Sequence, residues 1–136
     1  PWPAGWLRLR PRNLVVGVGC HRGTPAEEIL ALVHKTFRQA GLSLLAIKAL
    51  ATIAAKQDEP GLQEAARRLK VEVLWFSAED LEQIPVPHPS PQAARHVGTK
   101  SVSEAAALKA GQGGLLIPKQ KGANVTLAVA RVASRW

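Results

Sequence analysis

Cysteine is almost missing from this chain: Cys20 is the single one in 136 residues. No internal disulfide can form, and one thiol with four scattered histidines does not make a structural zinc site. Aromatic residues make up only 4%, with no tyrosine. That leaves little surface for base stacking, and no nucleic-acid recognition motif accompanies it, so nucleic acid is not the expected partner. Long hydrophobic runs are absent as well. Arg, Lys, Gly or Pro interrupts every apolar stretch before the ~20 residues that a membrane helix needs. The opening Pro1-Trp2-Pro3-Ala4-Gly5-Trp6-Leu7-Arg8 has no continuous apolar segment and no small-residue cleavage site, which argues against a secretory signal and for the cytoplasm. The length fits one globular domain with its own core and is short for two.

Negative charge is also scarce. Ten acids face 18 Lys and Arg, a formal net charge of +8. Every acid lies between Glu27 and Glu104. The flanks are purely cationic, with Arg8, Arg10, Arg12 and Arg22 before them and Lys109, Lys119, Lys121, Arg131 and Arg135 after. Such a balance suits a small polyanion, a phosphate or a polycarboxylate.

The pattern alternates strands with helices. Asn13–Val18 is an uncharged β-branched run of the kind buried on both faces of a sheet. Thr24 stands three residues before Glu27 with Pro25 between them, which predicts a capping box with proline at the first helical position. The helix then runs from Pro25 to Ala40 on Ile29, Val33 and Phe37, and Gly41 supplies a left-handed stop. Leu44–Thr52 is open between helix and strand, and its length after Gly41 selects strand. Pro60 opens a helix striped by Leu62, Ala65, Ala66 and Leu69, and Val71–Phe76 is a third strand. Ser77 with Asp80 caps a short turn. Pro85-Val86-Pro87-His88-Pro89-Ser90-Pro91 suits only an exposed connection. Ser101 and Glu104 form a second capping box for a helix over Val102–Ala110, ended by Gly111. Leu115–Ile117 and Asn124–Ala130 read as a closing hairpin around Lys119–Gly122. No internal repeat is evident. Helices interleaved with buried strands imply a sheet covered on both faces, parallel early and antiparallel at the end.

In such sheets ligands sit beyond the carboxyl ends of the strands. The first of those loops, Gly17-Val18-Gly19-Cys20-His21-Arg22-Gly23-Thr24, leads straight into a helix whose start favours an anion. The same glycines also suit a plain tight turn. The dinucleotide fingerprint is unmatched, because Gly23 comes one residue late, and the Walker lysine is missing. Cys20, beside Arg22 and near a helix start, is placed where a thiolate is favoured, although a buried inert thiol is the commoner case. His34, His88 and His96 have no mutual metal-ligand spacing. Neither a metal nor a cofactor is expected. Lys56, Asp58 and Glu59 follow the second strand, as ligand contacts or as a solvated helix start.

Several segments, taken in order, resemble the CobE/CbiG C-terminal domain family of cobalamin biosynthesis. Gly17–Thr24 resembles that family's G-x-G-C-x-x-G loop, and Ala51-Thr52-Ile53 with Lys56 and Glu59 its A-T-I-x-x-K-x-x-E segment. Val97-Gly98 with Ser101–Leu108 resembles V-G…S-V-x-E-A-A-A-L, and Lys119 with Thr126–Arg131 the closing K…T-x-A-x-A-R. Ala54 departs from the pattern, standing where relatives often carry aspartate. The resemblance implies an α/β fold, a three-layer α/β/α sandwich with a mixed, mainly parallel sheet of about five strands. It makes residues 13–136 a single domain behind an arm of residues 1–12. In two-domain relatives this domain follows another, and the whole opens the lactone of cobalt-precorrin-5A and releases acetaldehyde. The likeness here is to the free-standing form of the aerobic pathway.

The expected ligand is therefore a precorrin or corrin intermediate, many carboxylates around a large apolar ring. Its expected contacts are Gly17, Gly19, Cys20, Arg22, Gly23, Thr24, Lys56, Glu59, Lys100, Ser101, Glu104 and Lys119, with Arg22, Lys56, Lys100 and Lys119 supplying charge and the backbone of Thr24 and Ser101 direction. The alternative is a hydrolase with Glu104 or Glu59 as general base, or Cys20 as nucleophile. Other enzymes of the pathway are candidate partners, and Trp2, Trp6 and Trp136 offer cover for a homodimer contact.

Overall fold

The computed structural model describes residues 12–84 and 102–133. The proline-rich connection, Lys100, Ser101 and the terminal tryptophans lie outside these residues, as does Ser101's share in the second capping box. A five-stranded sheet in the order β3-β2-β1-β5-β4 forms the centre. Its strands are β1 (Leu14–Cys20), β2 (Ile47–Ile53), β3 (Glu72–Phe76), β4 (Gln112–Lys121) and β5 (Val125–Val132). β1, β2 and β3 pair in parallel, and β5 runs antiparallel to both β1 and β4. The sheet is mixed and mainly parallel, with β5 alone running against the rest.

Helices cover both faces. Alternate residues of β1, Leu14, Val16, Val18 and Cys20, pack with Ile29, Val33 and Phe37 of α1 (Ala26–Ala40) and with Leu62 and Ala65 of α2 (Pro60–Leu69). On the other face Val15 and Ala51 meet Ala105 and Ala106 of α4 (Val102–Gly111) and Leu81 of α3 (Ala78–Glu82). A strand with two covered faces needs no polar alternation, which is why β1 is continuously apolar. Ser77 caps α3 through the N–H of Asp80, as its spacing predicts. Gly41 ends α1 in the left-handed region at φ 70°.

Four local readings change. The closing hairpin turns at Gly122–Asn124 and not over Lys119–Gly122, because Lys119–Lys121 are the end of β4, with Gln120 and Lys121 still paired with β5. Thr24 does not cap α1: Pro25 is the N-cap, and the Thr24 hydroxyl donates instead to the carbonyl of His21 at 2.7 Å. Gly23, at φ 80°, turns the loop back and carries Thr24 with it. The second strand begins three residues late, because the Ser43 hydroxyl accepts the Leu45 N–H and winds Leu44–Ala46 into a 3₁₀ turn with Leu45 in solvent. Gly111 belongs to α4 and does not stop it. The left-handed residue is Gln112 at φ 64°, and Gly111 is small because a Cβ there would stand 2.5 Å from the carbonyl oxygen of Arg131.

Gly17 decides how α4 sits. A Cβ at this position would stand 1.9 Å from the Ser103 carbonyl oxygen and 2.7 Å from the Ala107 nitrogen, all backbone and unable to swing aside. Helix and strand therefore touch main chain to main chain, and Ala105, Ala106 and Ala107 are all fully buried. Gly17→Ala is expected to cost about 2–3 kcal/mol as overpacking, read as a lowered midpoint in thermal or urea unfolding. Gly23→Ala, with open space around its Cβ, is expected to cost about 1 kcal/mol through φ alone.

Candidate functional site

Parallel pairing brings the ends of β1 and β2 to one rim, and antiparallel pairing brings the β4–β5 turn there too, since Cys20 faces Val125 across the ladder. The start of α4 joins them: a Cβ on Gly19 would lie 3.7 Å from that of Val102. Where the paired ends of β1 and β5 pass into the β1–α1 loop and the β4–β5 turn lies a cleft of about 310 Å³, lined by Gly19, Cys20 and His21 and by Lys121–Thr126. Arg22 and Lys121 are exposed at this rim and Lys56 is half-buried.

Three carboxylates bind backbone amides of other segments. Glu59, only 8% exposed just before α2, accepts the Gly23 N–H at 2.9 Å and so joins the β1–α1 loop to the connection after β2. Glu104, fully buried in the first turn of α4, accepts the Lys119 N–H at 2.9 Å and joins that helix to β4. Glu28, in the first turn of α1, accepts both the backbone N–H of Asn124 at 2.8 Å and its side-chain amide at 3.1 Å. Burying a carboxylate is tolerable only with such donors, and each bond also fixes where a rim loop lies.

Cys20 closes the floor with its thiol on the α1 side of the sheet, 7% exposed. Burial pushes the Cys20 thiol above its ordinary value, the charge of Lys56 pulls it partly back, and Glu59 adds to the rise. At neutral pH this is a thiol, not a thiolate. The charges of Lys56 and Glu59 are both felt at Cys20. Thr52 directs its hydroxyl to the Val18 carbonyl at 2.7 Å and is wholly internal. Thr24 N–H donates to His21, closing a turn.

Among the residues expected at the site, Gly19, Cys20, Arg22, Gly23, Thr24, Lys56 and Glu59 thus share one rim. Gly17 lies deeper, against α4. Glu104 and Lys119 meet each other at the α4–β4 junction. Sequence reasoning missed Glu28, Lys121, Gly122 and Asn124 as parts of the same cleft. Only the chain order of the hairpin hinted at the turn, and no spacing announces a contact across 96 residues. A second hollow of about 330 Å³ between the starts of α1 and α2 is of opposite character. It holds Glu27 and Glu64, bridged by Arg68; Glu27 is held below its ordinary value by the hydrogen bond from its own backbone N–H and then by Arg68, and Glu64 by the hydrogen bonds from Arg67 and Arg68. No group of His, Cys, Asp and Glu among the described residues is arranged to hold a metal ion, and no described helix is long and apolar enough to cross a membrane.

Residues 14–130 match the family model described as cobalamin synthesis G C-terminus. The chain is 40% identical over 124 residues to the cobalt-precorrin-5A hydrolase of Priestia megaterium, covering 90% of this chain and 33% of that protein. It is 32% identical to Protein CobE of Sinorhizobium sp., covering 90% of this chain and 82% of that one. Among solved structures, that of CobE, a protein from the cobalamin (vitamin B12) biosynthetic pathway, superposes with a TM-score of 0.80 at 37% identity, over 89% of this chain and 94% of its own. The chiG protein of Agrobacterium tumefaciens superposes with a TM-score of 0.69 at 36% identity, over 89% of this chain and 99% of its own. The chain thus spans about a third of the hydrolase's length and most of the length of the CobE proteins.

The raised thiol has a consequence for stability. A neutral group whose folded pKa exceeds its unfolded one contributes fully below the unfolded value and loses that contribution as pH rises from it toward the folded value. Stability is therefore expected to fall as pH rises past the ordinary thiol range, and Cys20→Ala to remove that component, as measured by urea unfolding at a series of alkaline pH values. Lys56→Met is expected to move the onset of Cys20 alkylation to higher pH.

Proposed function

The chain belongs to the cobalamin synthesis G C-terminus family, and on that premise we propose that it binds a polycarboxylate corrin intermediate of cobalamin biosynthesis at the rim beyond the carboxyl ends of β1 and β2. The observation that carries this reading is the cleft lined by Gly19–His21 and Lys121–Thr126, open to solvent, with Lys121 in its lining, Arg22 exposed next to His21, and the neighbouring carboxylates Glu59 and Glu28 bound to amides. A large planar ring edged with carboxylates needs a broad, shallow, cationic seat, and a hollow of this size takes one edge of such a ring. Arg22, Lys56 and Lys121 supply charge there, with Lys119 on the neighbouring strand, and Gly19, Gly23 and Thr24 supply backbone at the edges of the seat; Lys100 and Ser101 are proposed as further contacts.

On this reading the protein is an accessory or carrier in the cytoplasm, handing its corrin to other enzymes of the pathway, alone or as a homodimer. Hydrolysis is the second reading, drawn from the name of relatives of which this chain spans about a third. It is the weaker one for this chain, because its three groups are already engaged: Cys20 as a buried thiol, Glu59 on Gly23 and Glu104 on Lys119.

Titration of the purified protein with a corrin polycarboxylate, followed by absorbance, is expected to saturate at micromolar concentration and to weaken steeply with added salt. Arg22→Glu and Lys56→Glu are each expected to weaken binding about tenfold, the scale of one charge-assisted contact. An unchanged spectrum at micromolar concentration refutes the binding reading. With cobalt-precorrin-5A the protein is expected to release no acetaldehyde. Turnover that is lost in Glu104→Gln or Cys20→Ser would establish the hydrolytic reading instead.

A further inference from the structure

The β4–β5 turn lines the cleft and packs lightly, Gly122 lying over Val125 and over Leu32 of α1. Gly122, Ala123 and Asn124 are exposed, and within the turn the Gly122 N–H reaches the Val125 carbonyl at 2.7 Å. Its place is set by polar ties, and these converge on Asn124. The Asn124 carbonyl accepts the His21 N–H at 2.9 Å and, more weakly, the Thr24 hydroxyl at 3.4 Å. Its backbone N–H and side-chain amide both donate to the carboxylate of Glu28. One residue thus links the turn to the end of β1 and to α1. The His21 bond continues the β1–β5 ladder beyond the Cys20–Val125 pair, and the Glu28 bonds tie the turn sideways to a helix.

We propose that Glu28 is a positioning residue for the anion site: by holding Asn124 against the first turn of α1 it fixes where the Gly122–Asn124 turn stands in the cleft. The inference rests on the reading of this rim as a polycarboxylate site and gives a task to an acid that reading leaves without one. It also reverses a sign. Charge alone says that removing a carboxylate beside an anion site strengthens binding. Positioning says that removing it weakens binding, because the turn it holds moves away.

Two substitutions separate these effects. Glu28→Ala removes both the charge and the acceptor. Glu28→Gln removes the charge but keeps an oxygen for the Asn124 N–H, and its amide can donate to a flipped Asn124 side chain. With cobyrinic acid as the absorbance probe, Glu28→Ala is expected to bind about fivefold more weakly than the native protein, the scale of a partly exposed charge-assisted bond. Glu28→Gln is expected to bind as tightly or more tightly. Glu28→Ala binding as well as the native protein overturns the proposal. A second measurement needs no ligand: amide hydrogen exchange at His21 and Asn124 is expected to quicken several-fold in Glu28→Ala and to stay native-like in Glu28→Gln, with the amides of β1 and β2 unchanged. Unaltered exchange at those two amides overturns the positioning role by itself. Failure of the native protein to bind cobyrinic acid, with exchange altered as expected, overturns the functional reading and leaves Glu28 as the anchor of the turn.

Discussion

Backbone contact between α4 and β1 at Gly17 is the constraint on which the remaining architecture depends. With no side chain on the strand and alanines on the helix, the two main chains come close enough that a single methyl would collide with a carbonyl oxygen. That proximity seats the first turn of α4 beside Gly19 and lays the helix across β1, β5 and β4 on one face of the sheet. Glu104 is consequently carried inside the protein, where it reaches the amide of Lys119. A helix standing one side chain farther out would leave Glu104 in solvent and β4 held by β5 alone.

The same economy governs the charges. A net charge of +8 arises here from few acids, and three of them bind backbone amides of other segments. Glu59, Glu104 and Glu28 each accept an amide from a different segment, so they serve as ties between loops while the field at the rim stays positive. Cations are treated the opposite way. Arg22 and Lys121 stay exposed, where hydration keeps their charge at little cost and a ligand can reach them. Where cation and acid do meet openly, at Arg68 with Glu27 and Glu64, the result is a neutralised brace between α1 and α2 on the far side of the loop, in the second hollow and apart from the cleft.

Legibility followed the range of the interaction. Covered strands such as β1 and amphipathic helices such as α1 and α2 announce themselves, because burial on one or two faces imposes a period on neighbouring residues. The errors lie where two local solutions were close in energy. Thr24 had the spacing of a cap but was drawn to His21 by the turn at Gly23, and Ser43 bent the first residues of a strand into a 3₁₀ turn. Gly111 had the look of a stop, yet it is small because Arg131 passes beside it. A glycine's reason is visible only once its neighbour in space is known.

At the candidate site the division is sharper. Residues contributed by the ends of parallel strands could be named in advance, since right-handed crossovers between parallel strands always return their loops to one edge. The β4–β5 turn and Glu28 could not, because a hairpin's place in the sheet is settled by which neighbour its strand pairs with, and that choice rests on packing against segments distant in the chain. Composition, periodicity and family-like blocks were enough to determine an α/β domain with a cationic, glycine-bordered rim. The insertion of β5 beside β1, the depth of α4 and the tying of three carboxylates to distant amides were decided only in three dimensions. Each depends on contacts between segments that are far apart in the chain, and no local pattern encodes those distances.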